Sequence, residues 1–405
     1  MMKRFLFTRG RNDETNGREL MKRYWMLLLI LAGVLPAGLI SPERAQGAAF
    51  AALDMSAGAA GAGNAFTATA DDPTAMHYNP AGLAWQPGVN LAFSGALRFE
   101  NQSVQQTAAR GTPYNDKKLA NLAGLYGNWM PEGSNWGLGF AFDTPYALST
   151  GWGTAFGGVA KSTSFDALHV GLDTVYAASS SLAVAVGGDW YLAKGEVSST
   201  VTTFSGRDKA GFGGHISALW HPRPAWAIGA MLKSGATIKL SGTASGAVNG
   251  NASVKVKLPD VARIGAMHVF NDKLRIEVDT SWTRWSRQKN LDVVGSTAEL
   301  NPLSLRDSFA LMTGATWFWR ENTTLRFGYA FDQAASKDGG FNARIADANM
   351  HRVSLGAGAD MIGVHFDLAY VYSFAAKRTI NNASAFDGTY RNRRQSLALS
   401  VGKHF

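Results

Sequence analysis

The chain has 405 residues, 39 Lys and Arg against 30 Asp and Glu, a formal net charge of +9 and no cysteine. Without cysteine there is neither disulfide stapling nor a thiolate metal site. Charged residues make up 17% and mean hydropathy is −0.08, which by hydropathy alone reads like a soluble chain, and no basic run interleaves with aromatics as a nucleic-acid surface would.

Taken in chain order, the first signal is the apolar run Met26–Ile40, preceded by Lys22 and Arg23 and followed by Ala45-Gln46-Gly47. A charged stretch, a short apolar stretch and small residues, in that order, make a signal peptide. Residues 1–47 are therefore read as a leader cleaved near Gly47–Ala48; an uncleaved anchor helix is the alternative. Residues 1–20 carry no fold signal, so Met1 and Met21 both stand as starts. The leader holds 8 of the Lys and Arg and 4 of the Asp and Glu, and a chain without it falls from +9 to +5.

Residues 48–87 do not alternate. They are rich in Ala and Gly and then run Asp71-Asp72-Pro73-Thr74-Ala75-Met76-His77-Tyr78-Asn79-Pro80-Ala81-Gly82-Leu83. Small side chains let backbones approach closely, so this segment is expected to be a hatch filling the lumen of whatever follows; a periplasmic tail is the alternative. Gly61-Ala62-Gly63 lacks the preceding strand and the Lys of a phosphate loop. Asp71 and Asp72 have too few companions for a metal and read as a turn or helix cap. No cofactor and no metal are expected.

From residue 88 on, fourteen segments alternate between apolar and polar residues. Leu274, Ile276, Val278, Thr280 and Trp282 share one face, and Arg275, Glu277, Asp279, Ser281 and Thr283 the other. Six short turns, 131–134, 179–181, 221–224, 271–272, 320–322 and 361–363, alternate with seven long polar stretches, 101–117, 148–163, 198–210, 241–252, 287–306, 333–350 and 375–392. An up-and-down barrel in an outer membrane has this rhythm, with short turns on the periplasmic side. Bare backbone groups in hydrocarbon are costly, so such a sheet must close on itself, and an even strand count permits antiparallel closure. The expected fold is all-β: a 14-stranded antiparallel transmembrane β-barrel over 88–405. Trp129, Trp136, Trp220, Trp226, Trp317 and Trp319 sit beside short turns, as an interfacial aromatic girdle would. The last segment ends on Phe405, like the assembly signal read by the barrel assembly machinery.

These residues carry a resemblance. Gly61–Ala84, with Ala70-Asp71-Asp72 and Asn79-Pro80-Ala81-Gly82-Leu83-Ala84, resembles the N-terminal hatch of the FadL-type outer-membrane transporters of long-chain fatty acids and aromatic hydrocarbons. Trp136-Gly137-Leu138-Gly139, Pro145-Tyr146 and Gly151-Trp152 are similar to the family's third strand and the loop after it. Ser281-Trp282-Thr283-Arg284-Trp285-Ser286 is similar to a strand-end motif of the family. Ala346-Asp347-Ala348-Asn349-Met350-His351 departs from its Pro-Asp-x-Asp-Arg-like run, and the family's carboxylate-binding basic residues have no identifiable counterparts here.

The resemblance implies passive uptake of a hydrophobic small molecule, released sideways into the membrane near a kinked third strand. It further implies that Asn79, Pro80 and Ala81 lie at that kink, with Gly137 and Gly139 as kink positions; small-residue packing in a narrow lumen is the alternative for the two glycines, and Pro145 is read as ending the strand. The inward charges Asp173, Asp189, Arg275, Glu277, Asp279, Arg326, His365 and Asp367 are candidates for guiding substrate or anchoring the hatch; a charge network filling a polar lumen is the plainer reading. Lys117, Lys118, Arg207, Lys209, Arg391, Arg393 and Arg394 are candidates for pairing with lipopolysaccharide phosphates, or are solvated loop charges. No spaced Ser, His and Asp form a triad, so an enzyme is not expected. The alternative function is a general porin for small hydrophilic solutes, with a phage-receptor or adhesin role for the loops as a secondary reading.

Overall fold

The computed structural model describes residues 49–107 and 114–405; the leader 1–47 and its cleavage site lie outside the described residues. Fourteen strands form the barrel wall. They are β1 (Gly88–Gln106), β2 (Tyr114–Met130), β3 (Trp136–Gly151), β4 (Ser162–Ala177), β5 (Leu182–Ser198), β6 (Thr202–Arg223) and β7 (Trp226–Lys233). Then follow β8 (Val261–Phe270), β9 (Leu274–Thr283), β10 (Ser308–Arg320), β11 (Thr323–Asp332), β12 (Met350–Met361), β13 (Val364–Ala375) and β14 (Gly388–His404). Each pairs antiparallel with the next, and β1 closes on β14 from Asn90↔His404 to Gln106↔Gly388. Closure joins the first strand to the last, so neither is a free edge, which is what a sheet in hydrocarbon requires.

Burial settles which face is which. Ile276, Val278, Leu368, Tyr370, Leu397 and Leu399 point outward and are exposed, whereas Glu277, Asp279, Asp367 and Ser400 point inward and are buried. The apolar face therefore meets lipid. All six tryptophans of the expected girdle are exposed on it. At the short-turn end, Asn271 and Asp272 adopt left-handed φ of 50° and 54°, a hairpin geometry that Asn and Asp tolerate.

The long-loop end differs from the sequence reading in one respect. Much of the polar sequence there is strand. β5 and β6 are joined by Ser199–Val201 alone, so most of 198–210 belongs to the sheet. Stretch 241–252 belongs to a hairpin, Thr237–Gly246 and Gly250–Lys257, that pairs onto β6 over Thr202–Arg207. These strands are polar outward and apolar inward: Phe204, Ile238, Leu240, Val254 and Val256 pack with Phe50, Tyr146, Leu148 and Trp285 into an apolar cap. Phe50 and Trp285 meet edge to face at 4.6 Å between ring centroids, and burying each such ring stabilises by about 1.5–3 kcal/mol.

Residues 49–86 are mostly buried and touch wall strands around the circuit. A short helix α1 (Ala57–Gly61), capped by Ser56, packs on β12 and β13. A second, α2 (Ala75–Tyr78), leads into a 3-10 turn, Pro80–Trp85. Small residues make the packing possible. Gly63 has φ +68°, and a Cβ there would lie 2.7–2.9 Å from backbone atoms of Thr313 and Tyr329. Only glycine meets both demands.

Candidate functional site

The inner wall of β9 holds the N-terminal segment by its backbone. Asp279 Oδ2 accepts from the N–H groups of Phe66 and Thr67, both at 2.9 Å. Glu277 accepts from Ala68 N–H at 2.7 Å, from Thr69 N–H at 3.1 Å and from the Thr69 hydroxyl. Arg275 donates to Asp71 at 2.7 Å. Three alternating residues of one strand thus fasten residues 66–71. Arg326 pairs with Asp367, which also meets His365 at 3.1 Å and lies against Gly58 of α1.

Asn79 is fully buried. Its Oδ1 accepts from Ala81 N–H at 3.3 Å, capping the turn that Pro80 begins, and its Nδ2 donates to the carbonyls of Thr67 (2.7 Å) and Ala218 (3.0 Å). Ala81 N–H also donates to Ser217 at 3.0 Å. The polar bonds of Asn79 and Ala81 therefore run to β6, where the resemblance implied the third strand. Contact with β3 comes from Leu83 and Met76, which leave no room for a Cβ at Gly139: both would lie 2.6 Å from it.

Gly137 and Gly139 lie in regularly paired wall, opposite Val175 and Asp173. The irregularity of β3 falls further on, between Asp143 and Tyr146, and the strand continues through Pro145 to Gly151. That irregularity lies in the pairing with β4; on the other edge Pro145 has no N–H to offer β2, and β2–β3 pairing ends just before it, at Asp143, rather than at the glycines. Among the described residues, β2–β3 pairing runs only from Trp129↔Leu138 to Gly124↔Asp143, although β2 stays paired to β1 as far as Tyr114. Beyond the break, side chains span the two strands: Lys118 Nζ donates to Ser149 at 2.6 Å and Gly151 N–H to Asp116 at 2.9 Å. On the inside, Phe50–Ala52 add to β3 through Ala52 N–H to Pro145 O (2.8 Å) and Ala147 N–H to Phe50 O (2.9 Å).

Asp143, at the break, begins a buried chain of alternating acids and imidazoles. His77 of α2 lies 3.2 Å from Asp143, and His169 lies 2.7 Å from Asp143 and 2.6 Å from Asp189. His215 then lies 3.0 Å from Asp189 and 2.9 Å from Asp173. Lys233 joins at Asp189, 2.9 Å away, and Tyr126 donates to Asp143 at 3.0 Å. Burial lowers the pKa of His77 to about 4 against the pull of Asp143. Such a satisfied network fixes the relative placement of β3 to β7 and α2.

A cavity with about 820 Å³ of empty space, part of it open to solvent, lies against this break. Pro145, Tyr146, Met231, Met312 and Trp285 line its apolar part; Lys233, Arg263 and Asp332 line its polar part. The Arg263 guanidinium lies 5.5 Å over the ring of Tyr78, and its Nε has no hydrogen-bond acceptor.

Asp54 was not singled out in the sequence, where it is one acid in a small-residue run. Its carboxylate, 1% exposed, binds Arg98 of β1 at 3.1 Å and Arg352 of β12. Burial pushes its pKa up, but the two guanidiniums outweigh this and hold it at about 2. A depressed carboxylate stabilises the fold fully above its unfolded pKa, near 3.8, and loses that contribution as pH falls through about 2. Asp54→Asn leaves two buried cations unpaired and is expected to cost about 3–5 kcal/mol. The check is faster protease cleavage within residues 49–86 of the folded barrel; wild-type cleavage rates in this variant would refute the anchoring role. Asp143 and Arg263 also went unnamed, and His169 and His215 drew notice only as histidines without metal spacing. Counting alternate positions from Gly139 and Asp173 would have reached Asp143 and His169.

A family model described as "Outer membrane protein transport protein (OMPP1/FadL/TodX)" matches residues 38–405. Outer membrane protein P1 of Haemophilus influenzae is 28% identical over 195 residues, 45% of this chain and 42% of that protein; the chain thus matches less than half the length of its curated relatives. The crystal structure of a Pseudomonas aeruginosa FadL homologue is similar at TM-score 0.79 and 18% identity, over 88% of this chain and 100% of that one. The Pseudomonas putida toluene transporter TodX is similar at TM-score 0.68 and 15% identity, over 89% and 100%. At these identities the likeness to solved structures carries the fold.

Proposed function

The chain belongs to the outer membrane protein transport family (OMPP1/FadL/TodX), and from that premise we propose that it takes up hydrophobic compounds, long-chain fatty acids or aromatic hydrocarbons, without an energy source. In this reading residues 48–87 act as the hatch, and substrate leaves sideways between β2 and β3. The observation that carries it is the coincidence of the cavity with the β2–β3 break: β2–β3 pairing ends at Asp143, and Pro145 and Tyr146, just past that point, line the cavity. A ligand leaving there enters lipid directly and keeps its apolar surface out of water, worth about 25 cal/mol per Å². A diffusion porin needs an open lumen, and the buried residues 49–86 argue against one.

Arg263 gives the reading a preference within its substrate class. Among the described residues no carboxylate pairs with it, and it lines the cavity. It suits an apolar ligand with an acid head. The test is uptake of labelled oleate and toluene by cells lacking their own transporter, with intact protein and with Arg263→Gln. Charge-assisted hydrogen bonds are worth about 1.5–3 kcal/mol, so oleate uptake is expected to fall by roughly tenfold or more in the variant, with toluene unchanged. Passage of sugars without uptake of either compound would refute the transport reading itself.

A further inference from the structure

The hairpin Thr237–Gly246 and Gly250–Lys257 carries an array of cations that transport does not use. On the outward face at the long-loop end, Lys194 of β5 stands opposite Arg207 of β6. One strand further, Lys239 stands directly opposite Lys255, with Lys257 the next outward position. Lys209 of β6 is exposed on the same side. Among the described residues none of these six forms an ion pair. On the same strands Glu196 is the next outward residue of β5, and the Asp208 carboxylate accepts from the N–H groups of Lys239 and Ala210 at 2.6 and 3.0 Å.

Like charges directly opposite in a sheet repel and destabilise it. These cannot drift apart, because the other face of the hairpin is locked: Ile238, Leu240, Val254 and Val256 are buried in the apolar cap. Just towards the membrane on β5 and β6, the exposed rings of Trp190 and Phe212 stack at 6.5 Å, and Trp190 Nε1 donates to Lys209 O at 2.8 Å. An amphipathic ring of this kind sits at headgroup level. The array is thus held where the headgroups of the outer leaflet lie, and it offers what a dense anion needs.

We propose that Lys194, Arg207, Lys209, Lys239, Lys255 and Lys257 form a docking site on the outer wall for the phosphates of an outer-leaflet glycolipid, the lipid A part of lipopolysaccharide. The acyl chains lie along the apolar strip below, past Phe212 and Ile216, and the phosphates bridge the opposed lysines. The same geometry sorts the other basic candidates. Lys117, Arg391 and Arg393 are exposed on the strands that flank β1 at the barrel closure, whereas Lys118 binds Ser149 and Arg394 is buried beside Glu100.

The test is native mass spectrometry of the detergent-solubilised chain with bis-phosphorylated lipid A and with its dephosphorylated form. The phosphorylated lipid is expected to bind about tenfold more tightly, at roughly the strength that a few near-surface lysines supply. Lys239→Gln with Lys255→Gln is expected to remove that preference, and Lys337→Gln, on another loop, to keep it. If the double variant fails to assemble, Lys255→Gln alone provides the same comparison. Equal binding of the two lipids overturns the proposal, as does a preference that survives in the variants. Displacement by millimolar inorganic phosphate would overturn the lipid as occupant, marking a site for the free anion.

Discussion

Replacing Glu277 and Asp279 together by alanine is expected to unseat the N-terminal segment from the barrel and turn a closed lumen into a leaking one. The two carboxylates take four consecutive N–H groups, from Phe66 to Thr69. Residues 66–69 are buried, so water does not readily replace those acceptors. Each buried donor left unsatisfied costs about 1–3 kcal/mol, and four of them exceed what a short Ala- and Gly-rich segment can recover by packing. The wall is less affected, because its backbone ladder does not pass through these side chains. The measurements are single-channel conductance in planar bilayers, which should rise from near zero, and protease access to residues 60–70. An assembled double variant with silent conductance and a protected segment would show that the acids merely fill a polar lumen.

The second large effect concerns the β2–β3 break. The chain has no cysteine, so Lys118→Cys with Ser149→Cys introduces a single pair across it, at positions whose native side chains already meet. Bridging the pair with a short bis-maleimide holds the strands together. If substrate leaves by this route, the bridge forces it towards water instead. Every ~100 Å² of apolar surface so exposed costs about 2.5 kcal/mol, and uptake of oleate and toluene is expected to fall by well over tenfold. The unbridged double variant should transport normally. Undiminished uptake with the bridge in place would rule out exit at this site and direct the search to another part of the wall.

Much of this architecture was legible because it is local. Leu274 to Thr283 alternate since one face meets lipid and the other does not, and a period of two survives in any stretch of sequence. Tryptophans beside turns, and the Ala- and Gly-rich run before residue 88, are equally local marks. Stretch 198–210 misled for a related reason: its outward residues are polar because that part of the sheet has left the membrane, while Phe204 still points into the cap. Gly137 and Gly139 drew the kink because glycine relaxes strands. The β2–β3 pairing ends just before Pro145 instead, where a missing N–H interrupts a ladder more directly than a missing side chain.

The sequence by itself determined the strand number, the alternation of faces and the presence of a small-residue segment ahead of the wall. Each follows from the solvent a residue meets, and lipid, water and lumen leave their marks residue by residue. Tertiary structure alone decided which inward charges answer one another. Asp54 meets Arg98 and Arg352, which lie 44 and 298 residues away along the chain, because ring closure brings β1 and β12 to the same buried point. It also decided that Asp143, His169, Asp189, His215 and Asp173 join into one network beside the break. Leaving a buried charge unpaired is costly, but where a partner exists it is chosen by the register and curvature of the closed sheet, and neither is written at any single position.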